Sequence, residues 1–295
     1  MPLLDKLREQ YGVGPLCSEL HIAPSTYYHC QQQRHHPDKR SARAQRDDWL
    51  KKEIQRVYDE NHKVYGVRKV WRQLLREGIR VARCTVARLL AVMGLAGGLR
   101  GKKVRTTISR KAVVAGDRVN RQFVAERPDQ LWVADFTYVS TWRGFVYVAF
   151  IIDVFAGYIV GWRVSSSMET TFVLDALEQA LWARRPSGTV HHSDKGSQYV
   201  SLAYTQRLKE AGLLASTGST GDSYDNAMAE SINGLYKAEV IHRKSWKNRA
   251  EVELATLTWV DWYNNRRLLE RLGHTPPAEA EKAYYASIGN DDLAA

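Results

Sequence analysis

Cysteine is nearly missing: Cys17, Cys30 and Cys84 are the three in 295 residues. So few thiols exclude a disulfide-stapled secreted scaffold and make a reducing cytoplasm the expected compartment. No run of eighteen apolar residues occurs, so no spanning helix and no membrane partner are expected. The N-terminus lacks the basic, apolar, small-residue order of a secretory signal. Neither an internal repeat nor a heptad run is visible. Acidic residues are scarce at the front: residues 1–120 hold 11 Asp/Glu against 25 Lys/Arg, while residues 121–295 hold 21 against 18. The formal charge of +11 is therefore carried by the first part of the chain. A basic front half is the electrostatic footprint of a polyanion partner, usually nucleic acid. What remains is ordinary globular composition, 44% hydrophobic and 25% charged, enough for about two domains.

The chain divides by periodicity. Residues 1–30 carry Leu3, Leu4 and Leu7 at helical spacing, then two short helical stretches around a turn, a possible helix-turn-helix. Residues 31–48 are almost without apolar side chains and read as a linker. Residues 49–96 contain three helical patterns: one from Trp49, one after Gly66, one over about 84–93. The middle pattern turns Val67, Val70, Trp71, Leu74 and Leu75 inward and Arg68, Lys69 and Arg72 outward. It reads as a helix-turn-helix-like module whose three basic residues face DNA. Residues 97–126 are Gly-rich and basic and suit an arm that tracks phosphates, with Lys102, Lys103 and Arg105 as its cations.

From Gln130 the pattern becomes that of buried strands. The runs 131–141, 145–155 and 158–165 are β-branched and aromatic with short turns between, an antiparallel meander. Helical and strand patterns then alternate to about 239, giving an α/β class with a mixed sheet and flanking helices. Residues 127–240 form this core. Residues 241–295 add a helix over 248–266 and a polar, Pro-containing tail that complete it. Trp71, Trp162, Trp182 and Trp259 are expected in the core, and Trp142 exposed on a tight turn.

Three carboxylates stand where chemistry is more plausible than packing. Asp135 interrupts the apolar strand Trp132-Val133-Ala134-Asp135-Phe136, a costly place for an unpaired charge. Asp194 follows the short strand ending at His192, at a strand's carboxyl end. Glu230 lies on a helix that brings Glu230, Asn233 and Lys237 to one face. Carboxylate oxygens are the natural ligands of Mg²⁺, and three can hold two such ions about 4 Å apart. Asp153, also in an apolar strand, is expected to support the site by hydrogen bonding. Asp222 and Asp225 are expected to cap the Glu230 helix. The spacing of Cys17, His21, His29 and Cys30 does not suit zinc, and His191 and His192 are poor partners for Mg²⁺.

The blocks Trp132–Tyr138, His192–Tyr199 and Ser223–Ser231, with thirty-five residues between Asp194 and Glu230, resemble the three acidic blocks of DDE transposases. The likeness is to the insertion-sequence family called IS-three, whose cores are similar to retroviral integrases, and it runs from about Ala44 to Tyr285. It implies an RNase H-like fold with Asp135, Asp194 and Glu230 as a catalytic, metal-binding triad for Mg²⁺, with Mn²⁺ substituting. Lys237 would contact DNA near the cleaved phosphate, and Asn226 and His192 would support the site or touch DNA. The chemistry implied is cleavage of double-stranded DNA at element ends and attack of the freed 3′-OH on target DNA, without a covalent protein–DNA intermediate. The partners implied are element-end and target DNA, further copies of the chain, and an upstream-frame protein to which it is fused or with which it acts. The location implied is the cytoplasm, at the nucleoid. A nuclease that only hydrolyses, or an inert DNA-binding regulator, are the alternative readings. Arg267-Leu268 is followed by Leu269-Glu270, where the family pattern has a histidine.

Overall fold

The computed structural model describes residues 2–98, 124–194, 196–217 and 227–294. The chain opens with α1 (Pro2–Tyr11), α2 (Val13–Glu19) and α3 (Pro24–His35). They close over a small core of Leu4, Cys17 and Tyr27. Next come α4 (Ala42–Glu60), α5 (Val67–Arg76) and α6 (Arg83–Val92). Leu50, Ile54, Val57, Val70, Leu74, Val86 and Leu89 are buried between them.

Helix α4 begins seven residues ahead of the apolar pattern at Trp49. The Ser41 hydroxyl caps it by accepting from the Ala44 amide at 3.3 Å. Its first turns are held by ion pairs, Arg40 to Asp48 and Arg88 to Asp47. Helix α3 reaches His35. Most of the stretch read as a linker is therefore helical, and its polar surface concealed the fact.

A five-stranded sheet follows in the order β3-β2-β1-β4-β5. It comprises β1 (Leu131–Thr141), β2 (Gly144–Asp153), β3 (Tyr158–Ser165), β4 (Val190–Ser193) and β5 (Leu214–Thr217). The first three form the expected antiparallel meander; β4 and β5 add in parallel to β1. Side chains alternate along β1, so the sheet builds two cores. Trp132 and Ala134 pack beneath α7 (Thr170–Arg184) and α8 (Leu202–Glu210). Leu131, Val133 and Val139 face a larger cluster that includes α9 (Ala227–Glu239) and α10 (Arg249–Asn265). At Gly161 the α7 backbone comes so close that a Cβ would strike the Ala176 carbonyl.

The larger cluster runs on without a break into α4–α6. Several bonds fasten it there, two of them to buried polar groups. Trp262 Nε1 donates to Asn61 Oδ1 at 3.1 Å, and the Leu268 amide donates to the Tyr65 hydroxyl at 2.8 Å. The Pro-containing tail is a long helix, α11 (Pro277–Ala294). Proline at a helix's first position removes only an amide that has no partner there, so it starts the helix instead of breaking it. Trp182 does not join the core and is 81% exposed. Ala180 and Leu181 take the inward positions of α7, which turns residue 182 to solvent. Among the described residues no helix is long and apolar enough to cross a membrane.

Candidate active site

Strand β4 pairs with β1 only over residues 131–134, ending on Ala134 opposite Ser193. The next residues of the two parallel strands are Asp135 and Asp194. Both carboxylates thus leave the same edge of the sheet, from neighbouring strands whose backbones lie about 4.8 Å apart. Beyond Asp135, β1 continues alongside β2 alone.

The Asp135 carboxylate is fixed at both oxygens. Oδ1 accepts from the Phe136 amide at 2.8 Å and Oδ2 from Asn233 Nδ2 at 2.9 Å. Burial pushes its pKa up to about 7; the charge of Asp194 adds to this, and that of Glu230 adds a smaller part. Asp194 Oδ1 accepts from the Gly196 amide at 2.9 Å, and burial raises this carboxyl as well. Glu230 lies in the first turn of α9, half-buried. Asp194 and Glu230 are thus both within electrostatic reach of Asp135. Among the described residues, however, no three Asp, Glu, His or Cys side chains are closed into a group that could hold a metal as they stand.

Lys237, two turns after Glu230, is the cation of the site. Burial lowers its pKa while the Asp135 charge raises it, and its ammonium lies 5.1 Å from the centre of the Tyr138 ring. Asn233 was legible as a neighbour of Glu230 and Lys237 on one helical face, but its bond to Asp135 was not. Its amide oxygen finds no hydrogen-bond partner among the described residues.

The histidines stay out of the pocket. His191 Nε2 meets the Tyr204 hydroxyl at 3.0 Å, and burial pushes this imidazole down to about 4. His192 is buried, with Nδ1 3.0 Å from the Ser216 hydroxyl on β5, and its charge lowers the pKa of the neighbouring Asp194 against the rise from burial.

Asp153 does not support this site. It lies opposite Trp132, three residues, or about 10 Å, along the sheet from the Asp135 position. There it accepts from the Asp129 amide at 2.6 Å and the Phe155 amide at 2.9 Å. The sequence showed an acid in an apolar strand, but not which strand end it closes.

The three basic residues of α5 differ. Arg72 is exposed and stacks on Trp71 at 4.7 Å. Arg68 pairs with Glu270 at the surface. Lys69 is not on the outer face. It folds over the Tyr65 ring at 5.4 Å, where burial and the charge of Arg267 push it down to about 8. The stem of a lysine covers apolar surface readily, which the binary pattern does not reveal. Lys102, Lys103, Arg105 and Asn226 lie outside the described residues, as do Asp222 and Asp225.

Comparison with known proteins adds sequence evidence. The integrase core domain family matches residues 125–223, and a second integrase core domain family matches 211–277. An HTH-like domain matches residues 45–103. Over its full length the chain is 98% identical to the full length of the transposase for insertion sequence element IS629 of Shigella sonnei. It is 97% identical over 186 residues to the transposase for insertion sequence element IS3411 of Escherichia coli, covering 63% of this chain and 78% of that protein. Among solved structures, the HTLV-2 integrase catalytic core domain in complex with magnesium aligns with a TM-score of 0.41 at 13% identity. That alignment covers 53% of this chain and 98% of that one.

Proposed function

Because the chain belongs to the insertion-sequence transposases, with an RNase H-like integrase core, we propose that it cuts double-stranded DNA at element ends and joins the freed 3′-OH ends to target DNA through Asp135, Asp194 and Glu230. The observation that supports the assignment is the parallel register that ends β4 beside Asp135, so that Asp135 and Asp194 are the next residues of neighbouring strands, with the Glu230 charge on α9 acting on Asp135.

The donor set fits hard divalent cations. All three groups offer carboxylate oxygen, the ligand Mg²⁺ prefers, and the nearby imidazoles are engaged in the interior. Partly exposed carboxylates suit an ion that keeps waters and completes its shell with phosphate oxygens. Two Mg²⁺ ions, for which Mn²⁺ substitutes, would supply charge stabilisation on the attacking and the leaving oxygen.

The chain's own residues do the rest. The Phe136 and Asn233 donors hold the Asp135 carboxylate in one orientation, and the Gly196 amide does the same for Asp194. Lys237 presents its ammonium to a phosphate beside the cut. No serine, tyrosine or cysteine need bond to DNA, because the nucleophile is first water and then the 3′-OH. The front module supplies binding: α5 exposes Arg72, and α4–α6 are anchored on α10, which fixes the module relative to the carboxylates.

The assay that tests this reading uses labelled element ends, target DNA and Mg²⁺. Wild type gives cleaved and joined products, and Glu230→Gln binds DNA without giving either. Hydrolysis without joining would demote the protein to a nuclease. Protein left on the DNA after phenol extraction would overturn the mechanism.

A further inference from the structure

The outer half of the β1–β2 hairpin carries large aromatic side chains in water. Trp142 is 73% exposed, Phe145 56% and Tyr138 50%. Tyr138 and Phe145 meet edge to face at 5.6 Å. Exposure of this kind on a protruding hairpin costs solubility and calls for an occupant. The hairpin is also rigid. Its two-residue turn is closed by Thr141 Oγ1, which donates to the Gly144 carbonyl at 2.7 Å and accepts from the Arg143 amide at 3.2 Å. The Trp142 amide donates to the Trp246 carbonyl at 3.0 Å, tying the turn to the segment before α10.

The hairpin's own charge has one sign. No Asp or Glu occurs between Phe136 and Ile152. Lys237 covers Tyr138 at 5.1 Å, Lys247 covers Trp142 at 6.0 Å, and Arg143 stands exposed on the turn itself. The link to the carboxylate site runs through Lys237, whose ammonium feels the Asp135 charge and covers the Tyr138 ring, although the two β1 side chains alternate to opposite faces of the strand. Tyr138 is about 10 Å along β1 from Asp135, and Trp142 about 23 Å. Aromatic faces interleaved with cations, leading away from a phosphate-cutting site, match the chemistry of an unpaired DNA strand: bases stack on rings and the backbone tracks the cations. A protein partner is the less fitting occupant, because the cations have no acidic counterpart on the hairpin.

We propose that the Tyr138, Phe145 and Trp142 ledge binds single-stranded DNA running out from the carboxylate site, with Trp142 as the stacking platform for an unpaired base. The proposal rests on the DNA-cutting assignment above and names the form of DNA that site handles.

The test measures DNA affinity of the full chain bearing Asp135→Asn, without divalent metal, so it does not depend on the triad being catalytic. The probes are a blunt duplex and the same duplex with a thymidine tail of about six nucleotides. The parent protein should prefer the tailed probe. Adding Trp142→Ala should cost about tenfold on the tailed probe and little on the blunt one, while Trp142→Phe retains most of the preference. Trp182→Ala, which removes an equally exposed ring from α7, should change neither. Equal loss on both probes, or no loss on the tailed one, would overturn the proposal. So would a change of oligomeric state in Trp142→Ala with the tail preference intact, which would make the ledge a contact between copies.

Discussion

Two aspartates on neighbouring strands, Asp135 half-buried on β1 and Asp153 fully buried on β2, are each pushed up to about 7, mainly by desolvation, yet they do different work. Asp153 closes a turn. It takes two backbone amides, and two guanidiniums, Arg184 and Arg271, feel its charge. Around it Arg184 holds Glu281 of α11 through two bonds of 2.9 and 2.8 Å, which docks the C-terminal helix on the end of α7. Both also feel other carboxylates, Asp129 and Glu281 at Asp153 and Asp194 and Glu230 at Asp135, but Asp135 has the ammonium of Lys237 where Asp153 has two guanidiniums. A raised pKa alone therefore does not mark a site. The mark is repulsion left uncompensated by the fold, which an added cation can relieve.

The sharpest break between the two regions is in activity. Asp135→Asn should lower metal-dependent strand cleavage by a factor of about a thousand or more, leaving DNA binding intact. Asp153→Asn should leave the cleavage rate of the folded protein within about tenfold of wild type. Near-normal cleavage by Asp135→Asn would erase the distinction. In stability the order reverses. Arg184→Met strands the buried Glu281 carboxylate and should destabilise the fold by about 2–4 kcal/mol in denaturant unfolding. An unchanged midpoint would show that α11 is not docked by this pair.

The smaller effects concern metal and pH. The folded, metal-free chain holds protons on Asp135 and Asp153 that the unfolded chain, with carboxyls at 3.8, releases. Stability contributed by these protons is present at low pH and is lost as pH rises from about 4 through about 7. Melting curves of the metal-free protein should therefore fall across that window, and Asp135→Asn should flatten the fall. At pH above the window, saturating Mg²⁺ should raise the melting temperature of wild type by about 2–5 °C and leave Asp135→Asn unmoved. Equal stabilisation of both would place the ion elsewhere.

Much of this was readable from the chain. Strand runs, the meander and the helices came from periods of 2 and 3.6, because each strand of the meander and each helix buries a definable face. Asp135 stood out because charge in an apolar strand is expensive, and Asp194 because it ends a strand. What stayed hidden depends on contacts between distant segments. Nothing local distinguishes Asp153, which closes the sheet against the Asp129 turn, from Asp135. Lys69 folds inward over Tyr65, and the Glu239 and Glu270 charges that offset the repulsion of Arg267 there come from far along the chain. The polar start of α4 concealed its first turns because solvent-facing turns have no apolar period to read, and α11 was hidden by its prolines and by a Glu281 buried against the distant Arg184.

The central claim is that Asp135, Asp194 and Glu230 bind the same catalytic metal site. Metal-specificity rescue tests it most directly: Asp135→Cys and Asp194→Cys, assayed for strand cleavage in Mg²⁺ and in Mn²⁺, with the alanine variants alongside. A thiolate is a poor ligand for Mg²⁺ and an acceptable one for the softer Mn²⁺. The account predicts that both cysteine variants are inactive in Mg²⁺ and recover cleavage in Mn²⁺, while the alanine variants recover in neither. Cysteine variants that cut normally in Mg²⁺, or that gain no more from Mn²⁺ than alanine does, would contradict it.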